Sequence, residues 1–231
     1  MTEQIILLFD IDGTLLLTGG AGNRSLNHAI ETVTGLAEGM NDVIPDGKTD
    51  YLIIEEAFRL NFPDKVLSPE HVEKVLQAYE QVMENELERS ERFRLMPGVP
   101  DILEACLKRK ELVLGLATGN LENTSWMKLH RGKLQEYFSF GGFGSDARDR
   151  TDMVRKAIRR ACEYTGQELR LENIYVIGDT PHDILCAHEA GIRAIGVGAA
   201  RFNCDELAHY HPEGLLPDLK SPDALFRLLG L

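Results

Sequence analysis

A doubly wound α/β fold, with a parallel sheet and an all-helical insert, is the class this sequence predicts. Two observations carry the prediction. Four short apolar runs, "IILLFD", "ELVLGLATG", "NIYVIGD" and "AIGVG", alternate with helical patterns. Residues 21–96 interrupt that alternation with helical patterns alone. Short continuous apolar runs bounded by Gly, Asp or Thr read as strands covered on both faces, the habit of parallel sheets. Strand–helix alternation then predicts helices on both sides of the sheet and a ligand beyond the carboxyl ends of the strands.

The first strand is "IILLFD", which runs into "IDGTLL". The insert follows as three helices: "GNRSLNHAIETVTG", "KTDYLIIEEAFRL" and "SPEHVEKVLQAYEQVMENELERS". Asn23, Thr49 and Ser68 are the expected caps, since short polar side chains accept hydrogen bonds from the free amides of a first turn. Pro69 suits the first helical position. "LMPGVP" marks the return to the sheet, so residues 1–20 and 97–231 read as one α/β core and residues 21–96 as the insert. In the core, helices are predicted over 99–110, 151–166 and 182–191, and the tail ends in a short helix.

Composition narrows the function. The 231 residues carry a formal net charge of -12, a surface that repels a nucleic-acid backbone. No apolar run approaches the length of a membrane span, and the start of the chain lacks the basic segment of a signal peptide. Cys106, Cys162, Cys186 and Cys204 are scattered, which reads as reduced thiols in a cytoplasmic protein, the first three on buried helix faces. A small anionic substrate would then need a local positive site. Monomer and homodimer are both open.

Each strong strand ends in a polar residue that can do chemistry. The first delivers Asp10 and Asp12, which as i and i+2 of an extended segment face one site. The second delivers Thr118 in "ATGN", and the third Asp179 in "VIGDTPHDI", with Asp183 a helical turn later. Two unpaired carboxylates at the rim of a core cost several kcal/mol, so a cation must accompany them. The donors are oxygens, with neither Cys nor His among them, which favours Mg2+ over zinc.

"FDIDGTLL", "ATGN" and "VIGDTPHDI", in this order and at strand ends, resemble the motifs of the haloacid dehalogenase-like superfamily, on its phosphatase side. The resemblance spans about residues 5–199 and implies a Rossmann-like core, with the insert as a cap domain. It implies that Asp10 is a nucleophile forming an aspartyl-phosphate and that Asp12 is the general acid and then base. It implies that Mg2+ is held by Asp10, the Asp12 carbonyl and Asp179, with Asp183 holding metal waters or orienting a basic group. It implies that Thr118 and the Gly119 and Asn120 amides hold the phosphoryl group. The implied activity is hydrolysis of a small-metabolite phosphomonoester, phosphoglycolate being one such substrate. A phosphomutase of the β-phosphoglucomutase type and a non-catalytic binding protein are the alternatives. A dehalogenase is disfavoured, because Asp12 and a metal site would be superfluous there.

One family element is absent. Many relatives carry a Lys, often before Pro, between the second and third strands, whereas this chain reads "GSDARDRTDMVRKAI". Arg150 is the expected cation, since a guanidinium holds phosphate in a fork, and Lys156 is the reserve. Lys48, in "DGKTD" of the insert, is a candidate specificity residue, with Asn23 and Arg24 weaker ones. Thr14 is expected to support the loop, His182 to be a loop residue and Trp126 to pack.

Overall fold

The computed structural model describes residues 4–64 and 68–231. The chain runs β1 (Ile5–Phe9), β2 (Leu16–Leu17), α1 (Ala21–Thr34), α2 (Asp50–Asn61), α3 (Pro69–Glu88), β3 (Arg94–Leu95), α4 (Val99–Leu107) and β4 (Leu112–Thr118). It continues with α5 (Glu122–Gly132), β5 (Gly141–Phe143), α6 (Arg150–Thr165), β6 (Ile174–Gly178), α7 (Pro181–Glu189) and β7 (Arg193–Val197). The tail supplies α8 (Cys204–Ala208), β8 (Gly214–Leu216) and α9 (Pro222–Leu229).

Among the described residues, six strands form one parallel sheet in the order β5-β4-β1-β6-β7-β8. β1 lies inside it, with Leu7 opposite Leu114 on one side and Tyr175 on the other. Its alternate side chains go to opposite faces. Leu7 and Phe9 join a core that includes α4 and α9, whereas Ile6 and Leu8 join one that includes α6 and α7. All four are fully buried, each contributing about 1.5–3 kcal/mol by leaving water. The strand is apolar at every position because both of its faces are covered.

The insert leaves and re-enters the core through a two-stranded antiparallel ribbon, in which Leu16 pairs with Leu95 and Leu17 with Arg94. Its three helices gather their own core, including Ile30, Ile54, Val75 and Met83. The Thr49 hydroxyl accepts from the Leu52 amide and the Ser68 hydroxyl from that of His71, so both caps sit where short polar residues were expected. Asn23 is not a cap. α1 begins at Ala21 behind Gly20, whose φ of 86° suits a residue without a Cβ, and Asn23 falls inside the first turn. Cys106 and Cys186 are buried as expected, but Cys162 is only partly covered, because it lies toward the edge of the packed face of α6.

Candidate active site

The carboxyl ends of β1, β4 and β6 open onto one cavity of about 500 Å³, lined by Asp10, Asp12, Thr118, Arg150 and Asp179. At its floor, Asp10, Asp179 and Asp183 each present a carboxylate oxygen, and these lie within 4.8 Å of one another. Three buried anions so close disfavour full ionisation. Burial first, then the neighbouring Asp183, holds the Asp10 carboxyl well above its ordinary range, although Arg150 opposes the shift. Asp179 is pushed up to about 7, again by burial and then by Asp183, while the Thr14 hydroxyl donates to its Oδ1 at 3.0 Å and pulls the other way. Thr14 is thus the expected loop support.

The loop is shaped to bring these groups together. Gly13 has a φ of +88°, and a Cβ there would lie 2.4 Å from an Asp179 carboxylate oxygen, so only glycine fits. Asp183 is fixed twice: its Oδ2 accepts from the Thr180 amide at 3.0 Å and the Thr180 hydroxyl at 2.7 Å, and its Oδ1 pairs with Arg150. It is therefore both a helix-terminal residue of α7 and a member of the acidic cluster.

Arg150 opens α6, and its guanidinium reaches to 3.8 Å from the Asp10 carboxylate. Burial opposes its charge, yet Asp183 first, with Asp10 also contributing, holds its pKa above the ordinary value. Its Nε is buried without an acceptor among the described residues. Lys156, the reserve, does not line the cavity.

Asp12 lines the same cavity but stands outside the acidic cluster. Its Oδ2 accepts from the Asn120 amide group at 2.7 Å and from Lys128 Nζ at 2.6 Å. Asn120 also donates to the Thr118 hydroxyl at 2.7 Å, and its own oxygen accepts from Lys128 at 2.6 Å. Lys128 was not foreseen. Its helix, α5, "ENTSWMKLHRG", is polar and lies outside the elements predicted from the sequence, although Thr124, Ser125, Lys128 and Leu129 form its buried face at helical spacing. A lysine at a core position of such a face is the signal that was available.

The insert reaches this site through residues 45–50. The Asp50 amide donates to the Gly119 carbonyl at 2.9 Å, and its carboxylate accepts from the Leu121 amide at 2.9 Å. Burial raises the Asp50 carboxyl to about 6, against the opposing charge of Lys128 and the Leu121 hydrogen bond. The Thr49 hydroxyl donates to the Arg148 carbonyl at 3.0 Å. Lys48 lines the cavity, but its ammonium pairs with Glu56 of the insert. Asn23 also lines the cavity, whereas Arg24 pairs with Glu86 at 2.7 Å. His182 packs beside Gly47, and burial, then Arg150, lowers its pKa. Trp126 packs on Phe143, ring centroids 6.1 Å apart.

The acidic cluster fits a divalent cation of the hard class. Its donors are carboxylate oxygens, and their mutual repulsion is what such an ion would relieve. Asp12 departs from that cluster with its side chain, so a side-chain site would comprise Asp10, Asp179 and Asp183. No helix among the described residues is long and apolar enough to cross a membrane.

Residues 7–197 match the family model described as haloacid dehalogenase-like hydrolase. A pyrophosphatase PpaX from Anoxybacillus flavithermus is 25% identical over 228 residues, 97% of this chain and 96% of that protein. A phosphoglycolate phosphatase from Agrobacterium fabrum is 28% identical over 197 residues, 83% of this chain and 79% of that one. Among solved structures, CbbY from Rhodobacter sphaeroides in complex with phosphate superposes with a TM-score of 0.75 at 20% identity, covering 100% of both chains. A putative β-phosphoglucomutase from Bacteroides vulgatus gives 0.67 at 18% identity, covering 99% of this chain and 90% of that one. At these identities the structural likeness concerns the fold.

Proposed function

The chain belongs to the haloacid dehalogenase-like hydrolases, and from that premise we propose that it is a Mg2+-dependent phosphatase of small phosphorylated metabolites. One observation carries the reading. Three buried carboxylates converge within 4.8 Å, and a buried guanidinium stands 3.8 Å from one of them. That is a place for a cation and a phosphoryl group together, since each offsets charge that the other leaves unbalanced.

In this reading Asp10 attacks phosphorus, the bond to the leaving oxygen breaks, and Asp12 gives that oxygen a proton. A water then attacks the aspartyl-phosphate, Asp12 takes its proton, and phosphate leaves as the Asp10 carboxylate re-forms. Arg150 binds phosphoryl oxygens and holds Asp10 in place. Thr118 and the amides of Gly119 and Asn120 orient the transferring group. Asp10, Asp179 and Asp183, with the Asp12 carbonyl, would hold Mg2+. When bound, the ion would neutralise charge on the phosphoryl oxygens as they pass through the transition state.

Residues 21–96 act as the cap over a core of residues 1–20 and 97–231, and the 45–50 strap borders the cavity. A cavity of this size suits a small substrate. Phosphoglycolate and pyrophosphate are the first substrates to test, being those for which the two relatives are named. Small phosphate esters and pyrophosphate should be assayed for phosphate release with Mg2+, with chelator and with Asp10→Asn. Release that needs the metal and vanishes in the variant supports the reading. Release that survives Asp10→Asn overturns it.

A further inference from the structure

Lys128 is a buried cation of this site that the mechanism above does not use. It sits on α5 with its side chain 4% exposed, while the Asp12 side chain is 39% exposed. A buried ammonium needs compensating partners, and here they are the Asp12 carboxylate and the Asn120 carbonyl, both at 2.6 Å. The two donors to Asp12, Lys128 and Asn120, reach the same oxygen, Oδ2. Oδ1 accepts no hydrogen bond from the described residues, and Asp12 lines the cavity. One oxygen is held and the other is left for exchange with a substrate.

We infer that Lys128 is a positioning residue: together with Asn120 it clamps Asp12 by one oxygen, so that the other oxygen is presented to the leaving group. The inference rests on the proposed role of Asp12 as general acid. The clamped Asp12 side chain stands outside the Asp10, Asp179 and Asp183 cluster, which keeps the acid separate from the cation site. It is also tied to the insert. α5 begins behind Leu121, whose amide donates to Asp50 on the strap. Seating of the strap therefore fixes the start of the helix that carries Lys128. In the step that releases the leaving group, a proton donor held in register counts only when the leaving oxygen needs a proton, which gives the clamp a signature distinct from general structural support.

The test compares Lys128→Met with the unaltered enzyme on p-nitrophenyl phosphate, whose leaving group departs without a proton, and on an alkyl phosphate, whose leaving group needs one. On the alkyl ester kcat/KM, which reads the leaving-group step and not the later hydrolysis of the aspartyl-phosphate, should fall by about 100-fold, within the usual worth of general acid catalysis. On the aryl ester the fall should be about tenfold smaller or less. Lys128→Met added to Asp12→Asn should cost nothing further on the alkyl ester, because it acts through Asp12. Lys128→Arg should restore part of the alkyl activity. An equal loss of kcat/KM on both esters, or no loss on the alkyl ester, overturns the inference. If Lys128→Met does not fold, Lys128→Gln, which keeps an amide donor, reads the same ratio. Turnover that survives Asp10→Asn would instead remove the underlying reading, so the two failures are distinguishable.

Discussion

Arg150 and Asp183 form an ion pair beneath the cavity, their side chains 10% and 2% exposed, and the same guanidinium lies 3.8 Å from Asp10. Removing one member of a buried pair strands the charge of the other. Arg150→Met should therefore destabilise the fold by about 3–5 kcal/mol and abolish phosphate release. Arg150→Lys should recover more stability than activity, because a single ammonium cannot serve Asp183 and a phosphoryl group in the way a fork does. Urea unfolding of both variants beside initial rates would check this. An Arg150→Met protein as stable as the parent would refute it.

Asp10→Asn removes one of three crowded carboxylates. Burial and the Asp183 charge, which disfavour an ionised Asp10, outweigh the attraction of Arg150. In chelator at neutral pH the variant should be more stable than the parent, by about 1–3 kcal/mol, while phosphate release falls to background. Mg2+ should raise the melting temperature of the parent and do so far less in the variant. Thermal melts with and without Mg2+ measure both. A variant less stable than the parent in chelator would count against the charge crowding.

Protons and a cation should compete for this cluster. The Asp179 carboxyl is raised to about 7 in the fold against an ordinary value of 3.8. A raised carboxyl pKa favours the fold fully below the unfolded value, and that contribution disappears as pH rises through the folded value. Metal-free protein should thus lose stability between about pH 4 and pH 7 on account of this group, and Asp179→Asn should flatten that slope. Mg2+ binding should tighten over the upper part of the same window, since the ion needs the deprotonated form. Melting curves at several pH values, in chelator and in Mg2+, would show whether the two trends oppose each other.

Gly119 lets the strap sit down. A Cβ at that position would lie 2.2 Å from the Lys48 carbonyl oxygen. Gly119→Ala should lift residues 47–50 from the core, weaken the Asp50–Gly119 hydrogen bond and cost about 1–3 kcal/mol. Limited proteolysis should then cut within 45–50 faster than in the parent, and KM should rise. An unchanged cleavage rate would mean that the strap is held from elsewhere.

Much of this was legible in the sequence for local reasons. β1, β4, β6 and β7 are apolar at nearly every position, so a run of letters is enough to find them. β5 is "GGF" and β8 is "GLL", three-residue edge strands rich in glycine with no pattern to read. Asp10, Asp12 and Asp179 announce themselves by ending apolar strands. Lys128 does not, because its meaning depends on α5 packing its polar face inward against Asp12, a contact between positions far apart in the chain. Arg150 is legible through chemistry, as the cation a phosphate needs, whereas its packing beside Asp10 depends on where β1 and α6 meet.

The central place of β1 sets an order on how the molecule is made. Its partners begin at Leu112 and Ile174, so on the ribosome "IILLF" waits unpaired while everything between is synthesised. The insert helices contact one another over shorter separations and have what they need to assemble in that interval. The strand does not, and an apolar strand without neighbours is the kind of segment that chaperones bind and aggregates recruit. Asp10 spends that wait as an ordinary solvated carboxylate. Only when β6 arrives do Asp179 and Asp183 join it, so the electrostatic cost of the site falls late, on a chain whose hydrophobic framework is already in hand.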